Sequence, residues 1–201
     1  MKALLPRNPL GRQYEIAGLR FREIAQTPVE KALDPFVLAK HFRIHVIEPS
    51  DIRMLTPAQL RLLTGRFASN WSGGTLSFPD GWQLCILNST HNAERTKATL
   101  MEEVAHVFLG HRPTKITTGL DGLCRRDYEQ SNEREAYAVG AAALLPYAPL
   151  LSAVRKGTSA RRIAKRYGVS KELVEYRIKI TLLWRLYKRG SARVNTKTVR
   201  H

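Results

Sequence analysis

Residues 96–111, TKATLMEEVAHVFLGH, set two adjacent carboxylates, Glu102 and Glu103, just ahead of His106 in a run that is otherwise mostly apolar. Leu100, Met101, Val104, Ala105, Val107, Phe108 and Leu109 leave no polar face besides these three, and a helix that is apolar all round is a buried one. Positions i and i+4 of a helix share a face, so Glu102 and His106 point at one spot, with Glu103 at its edge. An ionised carboxylate buried without a partner is costly, so the cluster asks for a metal ion, an arginine or shifted protons. The metal reading is the sharpest. In an H-E-x-x-H site two histidines one helical turn apart bind Zn²⁺, and the intervening Glu acts as general base on the bound water. Here the five positions are Glu102, Glu103, Val104, Ala105 and His106, with a carboxylate in place of the first imidazole. Carboxylate oxygen is itself an acceptable zinc ligand.

The elements that must carry this cluster follow from periodicity and punctuation. Residues 1–12 read as an irregular arm because of Pro6, Pro9 and Gly11, and a helix is expected over Tyr14 to Ala25. A short helix capped by Asp34, with Pro35 in its first turn, leads to a strand around Arg43 to Ile47. Thr75–Phe78 and Trp82–Leu87 form a hairpin across Pro79, Asp80 and Gly81. The acidic helix runs from about Arg95 to Leu109 and stops at Gly110; after a long connection a second helix starts near Asn132 and stops at Pro146. Strands followed by helices indicate α+β. Thr99-x-x-Glu102 and Asn132-x-x-Glu135 also fit capping boxes, which would make both acids helix-start residues. Glu103 has Arg95 or Arg134 as alternative partners, and His106 could be a satisfied core histidine.

TLMEEVAHVFLGH followed by NEREAYAVGAAALLP resembles the ImmA/IrrE family of zinc-metallopeptidase-like proteins. That resemblance implies a zincin-like core, a small antiparallel sheet with helices, over residues 31–150. The arm and first helix would occupy residues 1–30, and a C-terminal helical segment residues 151–201. It implies Glu103 as general base and Glu102, His106 and Glu135 as ligands of a divalent metal. Zn²⁺ is the ion implied, with Mn²⁺ or no ion as alternatives. It further implies an endopeptidase acting on a regulatory protein of the repressor or antitoxin type, in a stress-response setting. The Glu at position 102 departs from the family pattern. A ligand set with two negative charges lowers the acidity of bound water and shifts preference toward harder ions.

Charge is distributed unevenly. The chain of 201 residues carries a net +16, and residues 151–201, with 15 basic and 2 acidic side chains, hold +13 of it. A cationic block of this density suits a polyanionic partner, nucleic acid above all. Within it, ARRIAKRYGVSKELVEYRI has a helix-turn-helix rhythm, with Ala164 at a close approach, Gly168 at the turn and Ser170 as cap of the second helix. Docked on DNA, Ser170, Lys171 and Arg177 would approach bases or phosphates, and Arg161, Arg162, Lys165 and Arg166 would follow the backbone. The competing reading packs this pair on the core as a structural element. An inactive peptidase-like DNA-binding regulator is therefore the alternative to an active enzyme. Two cysteines and the lack of an apolar leader in MKALLPRNPLGR point to a reducing cytosol. The uncharged run from Ala136 to Val154, broken by Pro146 and Pro149, suits a buried helix better than a membrane span.

Overall fold

The computed structural model describes residues 4–111, 116–118, 124–126 and 130–190. Helix α1 (Pro9–Ile24) begins inside the expected arm, because Pro9 occupies its first position, where the missing N–H and fixed φ favour a helix start. Helix α2 (Pro35–His41) is capped by the Asp34 side chain and leads into β1 (Ile44–Ile47). The short helix α3 (Pro57–Arg61) precedes the hairpin β2 (Gly73–Ser77) and β3 (Gln83–Leu87). Next come α4 (Ala93–Leu109), the short strands β4 (Ile116–Thr118) and β5 (Cys124–Arg126), and α5 (Gln130–Leu144). Helices α6 (Tyr147–Arg155), α7 (Ala160–Tyr167) and α8 (Lys171–Ile180) follow.

The result is a mixed α/β fold with a three-stranded sheet in the order β1-β3-β2. The sheet is not purely antiparallel, as the sequence led us to expect: β3 runs antiparallel to β2 but parallel to β1. A tight turn can only reverse direction, so β2 and β3 must be antiparallel, whereas the long helical link from β1 to β2 lets the hairpin return with β3 beside β1. Strands β4 and β5 form a separate antiparallel pair; the rest of the long connection lies outside the described residues.

Helix α5 is the central element, packed by α1 on one side and α4 on another. Its run from Ala138 to Leu144 is buried throughout, which accounts for the absence of charge there. Small residues set the spacing. A Cβ on Gly140 would stand 3.2 Å from the Met101 carbonyl oxygen of α4, and one on Gly18 would stand 2.7 Å from the Ala143 nitrogen. No single described helix is long and apolar enough to cross a membrane, and α5 and α6 meet at a 65° bend.

That bend ends α5 in the interior, where its last carbonyls have no helical partners. Two buried arginines satisfy them. Arg22 donates to the Ala143 oxygen at 2.6 Å and the Leu144 oxygen at 3.2 Å, while Arg177 Nε donates to the Leu145 oxygen at 3.0 Å. Glu15 completes the clamp: one carboxylate oxygen accepts from the Tyr147 N–H at the start of α6 (2.6 Å), the other from Arg177 Nη2 (2.5 Å). Cations thus sit at a helix C-terminus and an anion at a helix N-terminus, each on the favourable end of the dipole. Arg177→Ala leaves the Glu15 carboxylate buried with half its partners gone. It is expected to lower stability by about 3–5 kcal/mol in urea unfolding. A loss within the range of a surface pair, under ~1 kcal/mol, would show that the clamp does not hold the bend.

Candidate metal centre and basic face

Helix α4 starts at Asn92, whose side chain accepts from the Arg95 N–H at 2.9 Å, so Thr99 and Glu102 lie well inside the helix and the capping-box explanation of Glu102 falls away. Helix α5 starts at Gln130, which removes the same explanation for Glu135. Glu102 and His106, one turn apart on α4, meet the first turn of α5 at Glu133. Donor atoms of these three residues all lie within 4.8 Å of one another. His106 Nε2 is 3.6 Å from Glu133 Oε1.

Glu135, the residue expected to complete this set, is placed elsewhere: its Oε2 is 3.4 Å from Nε2 of His111. Two positions along a helix turn the side chain by about 200°, so the two acids of Glu133-Arg134-Glu135 cannot address the same point. One signal could have separated them. Glu133 shares a stripe with Ala136, Tyr137 and Gly140, and the glycine on that stripe is what lets α5 approach α4.

The electrostatics of the cluster are those of a site short of positive charge. Burial first, and then the charges of Glu133 and Glu103, raise the Glu102 carboxyl from its ordinary range to about 7. Both charged groups that act on Glu102 among the described residues are acidic. Burial lowers the His106 imidazole; Glu133 opposes that and His111 adds to it. Glu103 is half-buried, and its charge is felt by the buried Cys85 on β3, whose thiol is raised to about 12 by burial first and Glu103 second. Arg95, one of its alternative partners, donates to the Ser72 hydroxyl at 2.9 Å.

Sequence reasoning missed the ring of side chains around the cluster. After the left-handed turn at Gly110, the His111 N–H bonds to the His106 carbonyl at 3.0 Å, and its ring folds back so that the two Nδ1 atoms are 3.0 Å apart. Tyr137 and Tyr176 stack edge to face at 4.8 Å. Burial, and then Glu102 and Glu172, raise the Tyr137 phenol; the Tyr176 phenol is raised to about 12, chiefly by burial.

The cationic segment divides into two faces. On α7, Ile163, Ala164 and Tyr167 turn inward, and Arg161, Arg162, Lys165 and Arg166 are all exposed. Ser170 caps α8, its oxygen accepting from the Leu173 N–H at 3.1 Å, and Lys171 pairs with Glu175 at 3.0 Å. Arg177 is not available to a nucleic acid. It is fully buried, because on α8 it falls on the inward stripe with Leu173, Val174 and Ile178, where it serves the α5–α6 bend. The outward surface of α8 carries Glu172 among its lysines, so the uniformly cationic surface is that of α7.

Residues 39–179 match the model of a peptidase family described as the IrrE N-terminal-like domain. Among solved structures, a Mycobacterium tuberculosis transcriptional regulator is similar, with a TM-score of 0.50 at 14% identity over 83% of this chain. The chain spans 46% of that protein's length, and identity this low speaks to the fold alone. No curated protein gives a significant sequence match. The family match runs through α4, α5, α7 and nearly all of α8, taking in both the acidic cluster and the basic helices. The chain belongs to the peptidase family of IrrE N-terminal-like domains.

Proposed function

We propose that this protein is a regulator built on a peptidase-like, zincin-type core, which holds a divalent cation without efficient hydrolysis and engages DNA through the basic face of α7. The observation that carries this reading is the set of four exposed cations, Arg161, Arg162, Lys165 and Arg166, on a helix whose opposite stripe is anchored in the core. Such a face reads the phosphate backbone rather than the bases. The likeness to a transcriptional regulator supports the fold of this reading.

The residues present fit a metal. One imidazole nitrogen and two carboxylate oxygens converge, and Glu102, raised by burial and by its acidic neighbours, is a group that a cation would stabilise in its charged form. Glu102, His106 and Glu133 would hold the ion, which when bound would polarise a water. Two carboxylates in place of one neutralise more of the ion's charge, favour Mn²⁺ relative to a two-histidine site, and weaken that polarisation. A second reading, a metal-dependent endopeptidase acting on a regulatory protein, is favoured by Glu103, which adjoins the ligand turn as the general base of an H-E-x-x-H helix does.

For DNA, fluorescence anisotropy with a labelled duplex is expected to show affinity that falls steeply with salt. Replacing Arg161, Arg162, Lys165 and Arg166 together by Ala should reduce the salt slope by about 2–4 and weaken binding at least ~10-fold. Unchanged binding and slope would remove the DNA reading. For the metal, calorimetric titration with Zn²⁺ and Mn²⁺ should give one site that Glu133→Ala abolishes. Glu102→His should tighten Zn²⁺ and raise hydrolysis of unstructured peptides if the carboxylate at 102 is what limits the enzyme. Wild-type turnover equal to that of Glu102→His would favour the endopeptidase reading instead.

The raised Glu102 also sets a pH dependence. With a folded value near 7 against 4.5 in the unfolded chain, the metal-free protein keeps this stabilisation below about pH 4.5 and loses it as pH rises through 7. The loss is up to about 3 kcal/mol. Thermal unfolding of wild type against Glu102→Gln should show the difference between them growing over that interval, and adding the divalent ion above pH 7 should reverse it. Parallel pH profiles for the two proteins would contradict the charge deficit.

A further inference from the structure

The His111 ring has no part in the ligand set, yet it is packed against the one imidazole that does. Its Nδ1 is 3.0 Å from His106 Nδ1, the rings are perpendicular within about the tolerance of an edge contact (68°), and its side chain is only 9% exposed. On its far side, Nε2 meets Glu135 at 3.4 Å. The order is Glu133, His106, His111, Glu135, with a contact at each step. We infer that His111 and Glu135 form a carboxylate–imidazole relay that orients His106 and fixes its tautomer, so that Nε2 presents its lone pair to a divalent cation.

The proton count of the two rings fixes the tautomers. Two nitrogens at hydrogen-bond distance need one donor and one acceptor. With both rings neutral, two assignments exist. If His106 carries its proton on Nδ1, it donates to His111 Nδ1; His111 then carries its own proton on Nε2, facing Glu135, and His106 Nε2 is left as a lone pair toward Glu102 and Glu133. In the reverse assignment His111 Nδ1 donates to His106, and His111 Nε2 turns a lone pair to the Glu135 carboxylate, two acceptors facing each other. In the first assignment the His106 Nε2 lone pair faces Glu133 Oε1 at 3.6 Å, a clash that a cation between the two removes; with the ion bound, Glu135 therefore selects the first assignment, which is the one a metal ligand requires. Metal-bound histidines commonly donate their other N–H to a carboxylate or carbonyl, directly or through an intermediary, and loss of such a partner costs roughly 10–100-fold in affinity. This recasts Glu135: an acid displaced from the ligand set by the helical turn, acting on it through an imidazole.

The backbone shows how the relay is held. Gly110 in the left-handed conformation (φ +68°) reverses the chain at the end of α4, and the His111 N–H then bonds to the carbonyl of His106 itself. The ring is thus tied to the residue it orients by both main chain and side chain.

The inference rests on the metal reading above, and the full-length protein with Zn²⁺ alone separates the two. Side-chain ¹⁵N–¹H correlation spectra of the zinc-loaded protein should show His106 protonated at Nδ1 and His111 protonated at Nε2. Glu135→Ala, at a side chain nearly half exposed, is expected to fold normally, weaken zinc about 10-fold, and mix the His111 tautomers, with Glu135→Gln recovering part of the loss. His111→Phe should weaken zinc by a similar factor or more. Unchanged affinity and unchanged His106 tautomer in both Glu135→Ala and His111→Phe would overturn the relay while leaving the metal site standing. Loss of zinc in Glu135→Ala as complete as in Glu133→Ala would also overturn it, by making Glu135 a ligand. A wild type that binds no zinc at this cluster would instead bring down the metal reading itself.

Discussion

Helix α5 ends in the middle of the protein, and the way its last carbonyls are satisfied governs much of what surrounds it. A helix terminus deprived of water must find donors, and here they come from Arg22 on α1 and Arg177 on α8. The two guanidiniums are buried charges, compensated by carbonyl dipoles and by one carboxylate, Glu15. Because Glu15 also receives the first N–H of α6, a single acid on α1 ties together the end of one helix, the start of the next and a third helix over 160 residues away in sequence. Buried pairs of this kind add little net stability compared with apolar packing, but breaking one is severe. The clamp therefore acts on geometry: it fixes the bend, and with it the direction in which α5 presents its opposite end.

That opposite end is the acidic cluster. Glu133 lies in the first turn of α5, near the positive pole of the helix dipole, and faces Glu102 and His106 across a helix pair brought close by Gly140. Burial and like charge leave Glu102 with its proton held until about neutral pH. A protein that only needed stability would have replaced it with an apolar side chain. Clusters of strained ionisation of this kind concentrate where ligands bind. The carboxylate at 102 changes the character of the site without dissolving it: three donors still converge, and their combined charge would neutralise more of a bound ion and activate its water less.

The C-terminal helices join this scheme through packing. Tyr137 of α5 stacks on Tyr176 of α8, the Tyr167 hydroxyl bonds to the Val29 carbonyl at 3.2 Å, and Arg177 enters the clamp. One hydrophobic cluster runs continuously from Phe21 to Leu183. The basic surface of α7 is thus mounted rigidly on the same body as the acidic cluster, with its charges in water and its aliphatic and aromatic stripe inside.

What the amino-acid order determined was the local layer: where the chain turns, which faces are apolar, and which residue types are too costly to bury without a reason. Asp34, the Pro79–Gly81 turn and Gly110 mark real boundaries, and the Glu102–His106 spacing puts both groups on one face, because these depend on residues within a turn or two of each other. The tertiary structure alone decided which distant groups meet. Glu133 and Glu135 are equivalent in composition and nearly so in position; only the rotation of α5 against α4 sends one to the ligand cluster and the other to His111. Arg177 looks like a surface cation in its basic neighbourhood, and nothing within ten residues of it announces the carbonyl of Leu145 or the carboxylate of Glu15 that make its burial tolerable. Periodicity specifies a direction around a helix axis. The partner waiting in that direction is a property of the packed fold.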